Sequence, residues 1–470
     1  MADFFEYQKR SYAEVGLSDR THLKNFKEVL NTLWKERHSF GLTSVFFEDE
    51  KANEQQFFTF YESHIKANKY IGSIKYGDKE FHILPKIFET KKHELIDQHT
   101  RTISNRTVIW WLTRCSKIEF PKSSSSWDTQ NFDFLDSLVH LFASLTRDDL
   151  IYNKQMSYVE KEEEIGTLRG RIDFSKYASN YYTCRAHVLP CVYDSLEINN
   201  LYNQIIKYTA KILLQHTNNE KLKELLFEIT WILDEVDDGF VTSVDCTRVV
   251  VSPLNVNMQV ILNYCKMFLS GMSIKTDEND MDIFAFLIPT EQLFEDFLFG
   301  FVNEQFSNEP DIIRIESQGD KHGKQVALAR SFMTTAKPID TFRLKPDIYI
   351  HKMSNDIILD SKYKVIYSKK EANEYDHKQS GVSISDVYQM LAYTVKLDVK
   401  TCHLLYPQLP NSLEQISGYY EIQHKNKMDK SIVHYHRLPT VILTSDDELS
   451  EVVKLQEIVL KSKLQEIINA

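Results

Sequence analysis

The chain has 470 residues, room for roughly two to four domains with buried cores. Apolar residues make up 42% and aromatics 12%, which excludes disordered and fibrous classes. Its 56 Lys and Arg against 67 Asp and Glu leave −11, which excludes a uniformly basic nucleic-acid coat.

From the N-terminus, Leu23, Phe26, Val29, Leu30 and Leu33 recur at helical spacing, predicting a helix around 23–35. Phe57–Tyr61 and Glu80–Leu84 have strand length and aromatic enrichment. Lys122–Ser126 reads as a loop, followed by a helix carrying Phe134, Leu138, Leu141 and Leu145. An acidic run at Glu160–Glu164 leads into Gly166-Thr167-Leu168-Arg169-Gly170-Arg171-Ile172-Asp173, whose glycines predict a tight turn between extended arms. That turn is either a solvated hairpin tip or a projecting basic contact loop. From Leu196 to Leu269 the pattern is helical, with Leu201, Ile205, Ile206, Ala210 and Leu213 on one stripe and Ile261, Leu262, Met267 and Phe268 on another.

The six cysteines, Cys115, Cys184, Cys191, Cys246, Cys265 and Cys402, contain no C-x-x-C pair and read as buried thiols of a reducing cytosol. MADFFEYQKR is not a basic-then-apolar leader, and no apolar run reaches ~18 residues, so a cytoplasmic protein without a membrane span is expected. Gly72 and Gly77 have phosphate-loop separation, but Asp78 replaces the lysine. Gly319 and Gly323-Lys324 stand too close together, and Gln325 replaces the hydroxyl residue. Nucleotide hydrolysis by this chain alone is therefore not expected. Zinc-ligand spacing and a G-x-S-x-G elbow are also absent, and His322 and His377 read as surface residues.

The informative region is 340–395. Two β-rich runs, Asp347-Ile348-Tyr349-Ile350 and Ile357-Ile358-Leu359-Asp360-Ser361-Lys362, flank a polar Ser354-Asn355 turn. A two-residue loop there would set Asp347 opposite Lys362, with Asp360 on the same face by the two-residue period. Two carboxylates and a lysine on one face suit metal-assisted phosphodiester hydrolysis. Asp347, Asp360 and the Ser361 carbonyl would hold Mg²⁺, for which Mn²⁺ could substitute. Lys362 would orient the water, or help deprotonate it if burial and a cation lowered its pKa. The same pattern also fits a surface hairpin with an Asp–Lys pair, but the apolar runs favour buried central strands. Downstream, Ser385 could cap a helix that carries Asp386, Val387, Leu391 and Val395 and sets Gln389 and Tyr393 on one face. Upstream, a helix from Pro289 to Phe306 puts Glu295 at the edge of its apolar stripe, as a third carboxylate or a flanking ion pair.

These residues together resemble the PD-(D/E)xK nuclease superfamily, with Pro346-Asp347, Asp360-Ser361-Lys362 and a RecB-type Gln389-x-x-x-Tyr393. More closely, the chain resembles the McrC family, the nuclease subunits of McrBC modification-dependent restriction systems. Leu293-Phe294-Glu295, Lys345-Pro346-Asp347-Ile348, Asp360-Ser361-Lys362-Tyr363-Lys364, Asp386-x-Tyr388-Gln389-Met390-x-Ala392-Tyr393, Leu168–Asp173 and Leu84-Pro85-Lys86 carry that resemblance. It implies an α+β N-terminal partner-binding module at 1–150, a projecting loop and helical connector at 151–280, and an α/β PD-(D/E)xK restriction-endonuclease-like domain at 281–470. It implies catalysis by Asp347, Asp360, Lys362, Gln389 and Tyr393, and metal ligation by Asp347, Asp360, Ser361 and Glu295. It further implies an McrB-like AAA+ GTPase hexamer as partner, touched by Arg169 and Arg171, and modified double-stranded DNA as substrate. Residues 311–380 hold 13 Lys and Arg against 10 Asp and Glu, a local +3, which leaves −14 on the remainder and suits a cationic groove on an acidic protein. Two other readings stay open: an adaptor that only activates the GTPase, and a stand-alone RecB-like nuclease acting on DNA or RNA. A charged amphipathic helix is expected over Ser445–Ile468.

Overall fold

The computed structural model describes residues 2–39, 44, 46–47, 52–77, 79–89, 96–117, 120, 134–251, 255–272, 283–317, 326–331, 339–367, 381–410, 412, 414, 416–423, 430–444 and 449–469. The readings at Lys122–Ser126, Gly319, His322, Gly323–Gln325 and His377 lie outside these residues. Contacts divide the chain into Met1–Ser137 with Ile274–Ala470, and Leu138–Ser273. The sequence reading draws its boundaries at 150 and 280.

The first unit begins with β1 (Ala2–Phe5), β2 (Lys9–Ser11), α1 (Arg20–Lys35), β3 (Phe58–Phe60), β4 (His64–Ala67), β5 (Tyr70–Tyr76) and β6 (Lys79–Leu84). Asp19 caps α1 by accepting from the Thr21 and His22 amides, and the apolar stripe read from sequence is its buried face. That face meets the strands in an aromatic core, where Phe26 stacks on Phe81 at 4.7 Å and Trp34 meets Phe57 edge-on at 5.2 Å. Next comes α2 (Gln98–Arg114), buried around most of its girth.

The second unit contains most of α3 (Phe134–Tyr152), then β7 (Ser157–Ile165), β8 (Arg171–Ile172), α4 (Phe174–Tyr182), β9 (Leu189–Glu197), α5 (Leu201–His216), α6 (Glu220–Ile232) and α7 (Val256–Met272). The expected stripes are buried on α5 and α7, except that Leu201 is only half-buried. The two arms of the Gly166–Asp173 turn do not pair with each other. β9 lies between β7 and β8, antiparallel to both, so the segment crosses the end of an intervening strand. Gly170 makes that crossing with φ +63°, and a Cβ there would stand 2.3 Å from the Val192 carbonyl oxygen. Asp173 then caps α4 through the Ser175 and Lys176 amides. Five cysteines are buried as expected, but Cys184 is exposed.

The first unit resumes with β10 (Ile283–Pro289) and α8 (Thr290–Phe306), then β11 (Ile312–Ser317), β12 (Ala327–Ser331), β13 (Ile339–Arg343), β14 (Ile348–Lys352), β15 (Ile357–Ser361), α9 (Ile384–Leu397), β16 (Thr401–Pro407), β17 (Ser417–Gln423), β18 (Lys430–Leu438) and α10 (Leu449–Ile468). β10 completes a sheet of order β1-β6-β5-β10, which ties chain ends far apart in sequence. α2 strengthens that union, since the Trp111 indole donates to the Thr440 carbonyl at 2.9 Å and Trp110 to Glu457 at 3.0 Å. α8 crosses α2 at Gly300, where a Cβ would sit 1.9 Å from the Arg114 carbonyl oxygen. A six-stranded sheet of order β11-β14-β15-β16-β18-β17 forms the other layer. β15 and β16 are parallel, as are β16 and β18, and β15 is buried along its whole length as its apolar run predicts. Among the described residues, no helix is long and apolar enough to cross a membrane.

Candidate active site

Asp347 immediately precedes β14, Asp360 is the penultimate residue of β15, and Lys362 follows that strand. The hairpin register differs from the expected one. Ile348 faces Leu359 and Ile350 faces Ile357, so the turn moves to Met353–Ser354, and the same register extended by one residue sets Asp347 opposite Asp360, not Lys362. The displacement amounts to two residues in pairing, which preserves side-chain parity. Both carboxylates therefore keep the expected common face.

Burial makes this an expensive place for charge. Asp360 is 0% exposed and Asp347 6% exposed. Ser361 secures Asp347, its amide donating to Asp347 Oδ2 at 2.9 Å and its hydroxyl to the same oxygen at 2.7 Å. Asp360 Oδ2 contacts the Lys362 ammonium. Asp360 Oδ1 has no hydrogen-bond partner among the described residues. α8 directs Glu295 into the same field: burial first, then the charges of Asp347 and Asp360, push its carboxyl up to about 8 against the pull of Lys362. Burial and Asp347 push Asp360 up to about 7. Lys362 departs from the expectation for a proton acceptor. Burial pulls its amine down, but Asp360 and Asp347 outweigh that and hold it above the ordinary lysine value, as an ammonium.

The helix behind the strands starts differently from the sequence reading. Ser383, not Ser385, caps α9 by accepting from the Asp386 amide, and Val395 is exposed. Gln389 Nε2 donates to the Tyr393 hydroxyl at 2.8 Å, as their shared face predicts. Tyr393 is 2% exposed, and burial, then Asp360 and Asp347, raise its hydroxyl.

Several supporting groups had no assigned role in the sequence reading. Lys364 donates to both Asp386 oxygens, at 2.7 and 3.0 Å, and the Tyr406 hydroxyl donates to Asp386 Oδ2 at 3.3 Å. Asp386 also raises Asp360 and Lys362. Tyr363, next to Lys362, is buried against Phe294 at 5.8 Å and Trp111 at 6.2 Å, with the Lys86 ammonium 4.6 Å from its ring centroid. Short strings of the family resemblance were the signal for Lys86, Phe294, Tyr363, Lys364 and Asp386, and nothing marked Trp111 or Tyr406, because the contacts join positions up to hundreds of residues apart.

The buried Asp347 and Asp360, with the half-buried Glu295 in their field, set three carboxyl groups beside one ammonium, and Asp360 Oδ1 lacks a partner among the described residues. Such hard oxygen donors fit a hard divalent cation. In the second unit, Arg169 lies 4.0 Å over the Tyr193 ring and Arg171 pairs with Glu160 at 3.0 Å; both arginines are exposed.

A family model described as McrBC 5-methylcytosine restriction system component matches residues 65–407, a span containing every residue of this constellation. No curated protein matches the chain. Among solved structures, a chain of the refined half-complex from the tetradecameric assembly of Thermococcus gammatolerans McrB AAA+ hexamers with bound McrC is similar at TM-score 0.68 and 15% identity, over 99% of this chain and 99% of that one. A chain from the cryo-EM structure of the Thermococcus gammatolerans McrBC complex aligns at TM-score 0.49 and 16% identity, over 66% of this chain and 89% of that one. At these identities the likeness is one of fold.

Proposed function

The chain belongs to the family of McrBC 5-methylcytosine restriction system components, and we propose that it is the Mg²⁺-dependent DNA-cutting subunit of such a system. In this reading the six-stranded sheet with α8 and α9 is a PD-(D/E)xK-type nuclease domain. The partner is an McrB-like AAA+ GTPase hexamer, whose GTP hydrolysis this chain stimulates. The assembly of McrB hexamers with bound McrC in the similar structure supports that partner class. Arg169 and Arg171, exposed beside the strained crossing at Gly170, are the proposed contacts.

The observation that carries the reading is the buried pair Asp347 and Asp360 with Lys362 in contact with Asp360, and the half-buried Glu295 in the field of both carboxylates. Asp347, Asp360, Glu295 and the Ser361 carbonyl would hold Mg²⁺, which when bound neutralises phosphate charge and acidifies a coordinated water. Lys362, kept cationic by its carboxylate neighbours, orients the attacking water and steadies negative charge on the phosphate. Ser361 fixes the orientation of Asp347. Gln389 and Tyr393, joined by their own hydrogen bond and in the field of Asp360 and Asp347, are the positioning residues of the site.

The test reconstitutes the full chain with its AAA+ GTPase, methylated duplex DNA, GTP and Mg²⁺. Lys362→Ala and Asp360→Asn are expected to abolish cutting while GTPase stimulation persists. Undiminished cutting by either variant overturns the nuclease assignment. Robust cutting by the unaccompanied chain overturns the dependence on a partner.

A further inference from the structure

The geometry points to a second metal site, remote in chemistry from the carboxylate set: His403, His434 and His436 form a site for a borderline transition-metal ion, Zn²⁺ foremost. In the parallel β16–β18 ladder His403 lies directly opposite His434, and His436 lies opposite Leu405. The two-residue period puts all three imidazoles on one sheet face. One nitrogen from each lies within 4.8 Å of the others.

The closest pair already has nearly the separation that coordination requires. His403 Nδ1 and His436 Nε2 are 3.1 Å apart. Two nitrogens bound tetrahedrally at ~2.0–2.1 Å stand ~3.4 Å apart. The His403 and His434 rings are stacked, with centroids 4.8 Å apart and planes 12° from parallel, which keeps the third imidazole beside the pair.

The surroundings also match a ligand site. The exposed Ser417 hydroxyl lies 3.1 Å from His436 Nδ1, an outer partner that can accept a hydrogen bond from Nδ1–H and leave the Nε2 lone pair aimed at His403. His403 and His436 are 2% and 7% exposed, whereas His434 is half-buried and gives access from solvent. Burial and the neighbouring imidazoles push His403 down to about 3, and burial and His434 push His436 down to about 4, so both rings are neutral at physiological pH. Lys463, paired with Glu466 at 2.9 Å, and Glu466 are the charged groups that act on His436 from α10. A neutral three-nitrogen donor set favours Zn²⁺, Cu²⁺ or Ni²⁺ over Mg²⁺, so the two sites would sort ions by ligand type.

The test uses the full chain, stripped with a chelator and carrying Asp360→Asn to disable the carboxylate set. Titration with Co²⁺ is expected to give one equivalent with the strong visible absorption of a four-coordinate nitrogen site, displaced by Zn²⁺. His434→Gln, at the half-exposed position, and His436→Gln are each expected to weaken binding at least ~10-fold. Where His436→Gln does not fold, His434→Gln alone decides. Co²⁺ and Zn²⁺ binding unchanged in the His434→Gln chain, or absent from the parent, overturns the site. So does a spectrum of six-coordinate oxygen ligation.

Discussion

The Ser361 hydroxyl donates to Asp347 Oδ2 at 2.7 Å, so the residue separating Asp360 from Lys362 also clamps the carboxylate across the hairpin. Ser361→Ala keeps the amide donor at 2.9 Å and removes the hydroxyl. A hydrogen bond to a charged group is worth ~1.5–3 kcal/mol. Cutting by the reconstituted complex is expected to fall ~10-fold or more, with a higher Mg²⁺ requirement. A Mg²⁺ titration of the cleavage rate measures both.

Glu295 and Asp360, raised to about 8 and about 7, are partly protonated at neutral pH. A cation favours their ionised forms, so Mg²⁺ binding at pH 7 is expected to release protons and to tighten between pH 6 and pH 8.5. Calorimetry in buffers of different ionisation enthalpy counts the protons. Because both folded pKa values lie above the unfolded ones, the contribution of these groups to stability is full below about pH 4 and is lost as pH rises through 7–8. The metal-free chain is therefore expected to lose thermal stability across that window, and Mg²⁺ to restore it.

Tyr393→Phe removes the hydroxyl that accepts from Gln389 at 2.8 Å but keeps the buried ring. Cutting is expected to slow ~10-fold while GTPase stimulation stays unchanged, as befits loss of one positioning hydrogen bond. Equal losses in both activities would mark the tyrosine as structural. Parallel assays on one preparation separate the outcomes.

Gly170→Ala forces a Cβ against the Val192 carbonyl at a position with φ +63°. The crossing over β9 must then shift, and with it Arg169 and Arg171. GTPase stimulation is expected to fall severalfold, while Mg²⁺ affinity at Asp347 and Asp360 remains. Arg169→Ala and Arg171→Ala, which leave the backbone alone, should reproduce part of the loss. Steady-state GTPase assays with increasing amounts of each variant measure it.

Local periodicity made much of the site legible. Asp347, Asp360 and Lys362 share a face because strand parity tolerates a register error of two, and Gln389 meets Tyr393 because four residues make about one helical turn. Features that depend on distant strands were not legible. β9 separates the arms of the Gly166–Asp173 turn, though it begins well downstream. Ser383 and Ser385 are both competent caps, and the Asp386 amide selects the first. The union of the N-terminal strands with the C-terminal layer rests on β10 and on the two tryptophans of α2, whose hydrogen bonds span over 300 residues.

The division of the chain has one consequence for how such proteins diversify. Residues 138–273 are a single uninterrupted stretch inserted into a unit that the flanking sequence completes across β5 and β10. An insert of this kind can open as its own cooperative block without parting the strands that carry the carboxylates. It is also the segment in which substitutions, or wholesale replacement, least disturb the strands that carry the carboxylates. In the proposed reading, motor contact and strand cleavage therefore fall to separate units of one polypeptide, free to change at different speeds.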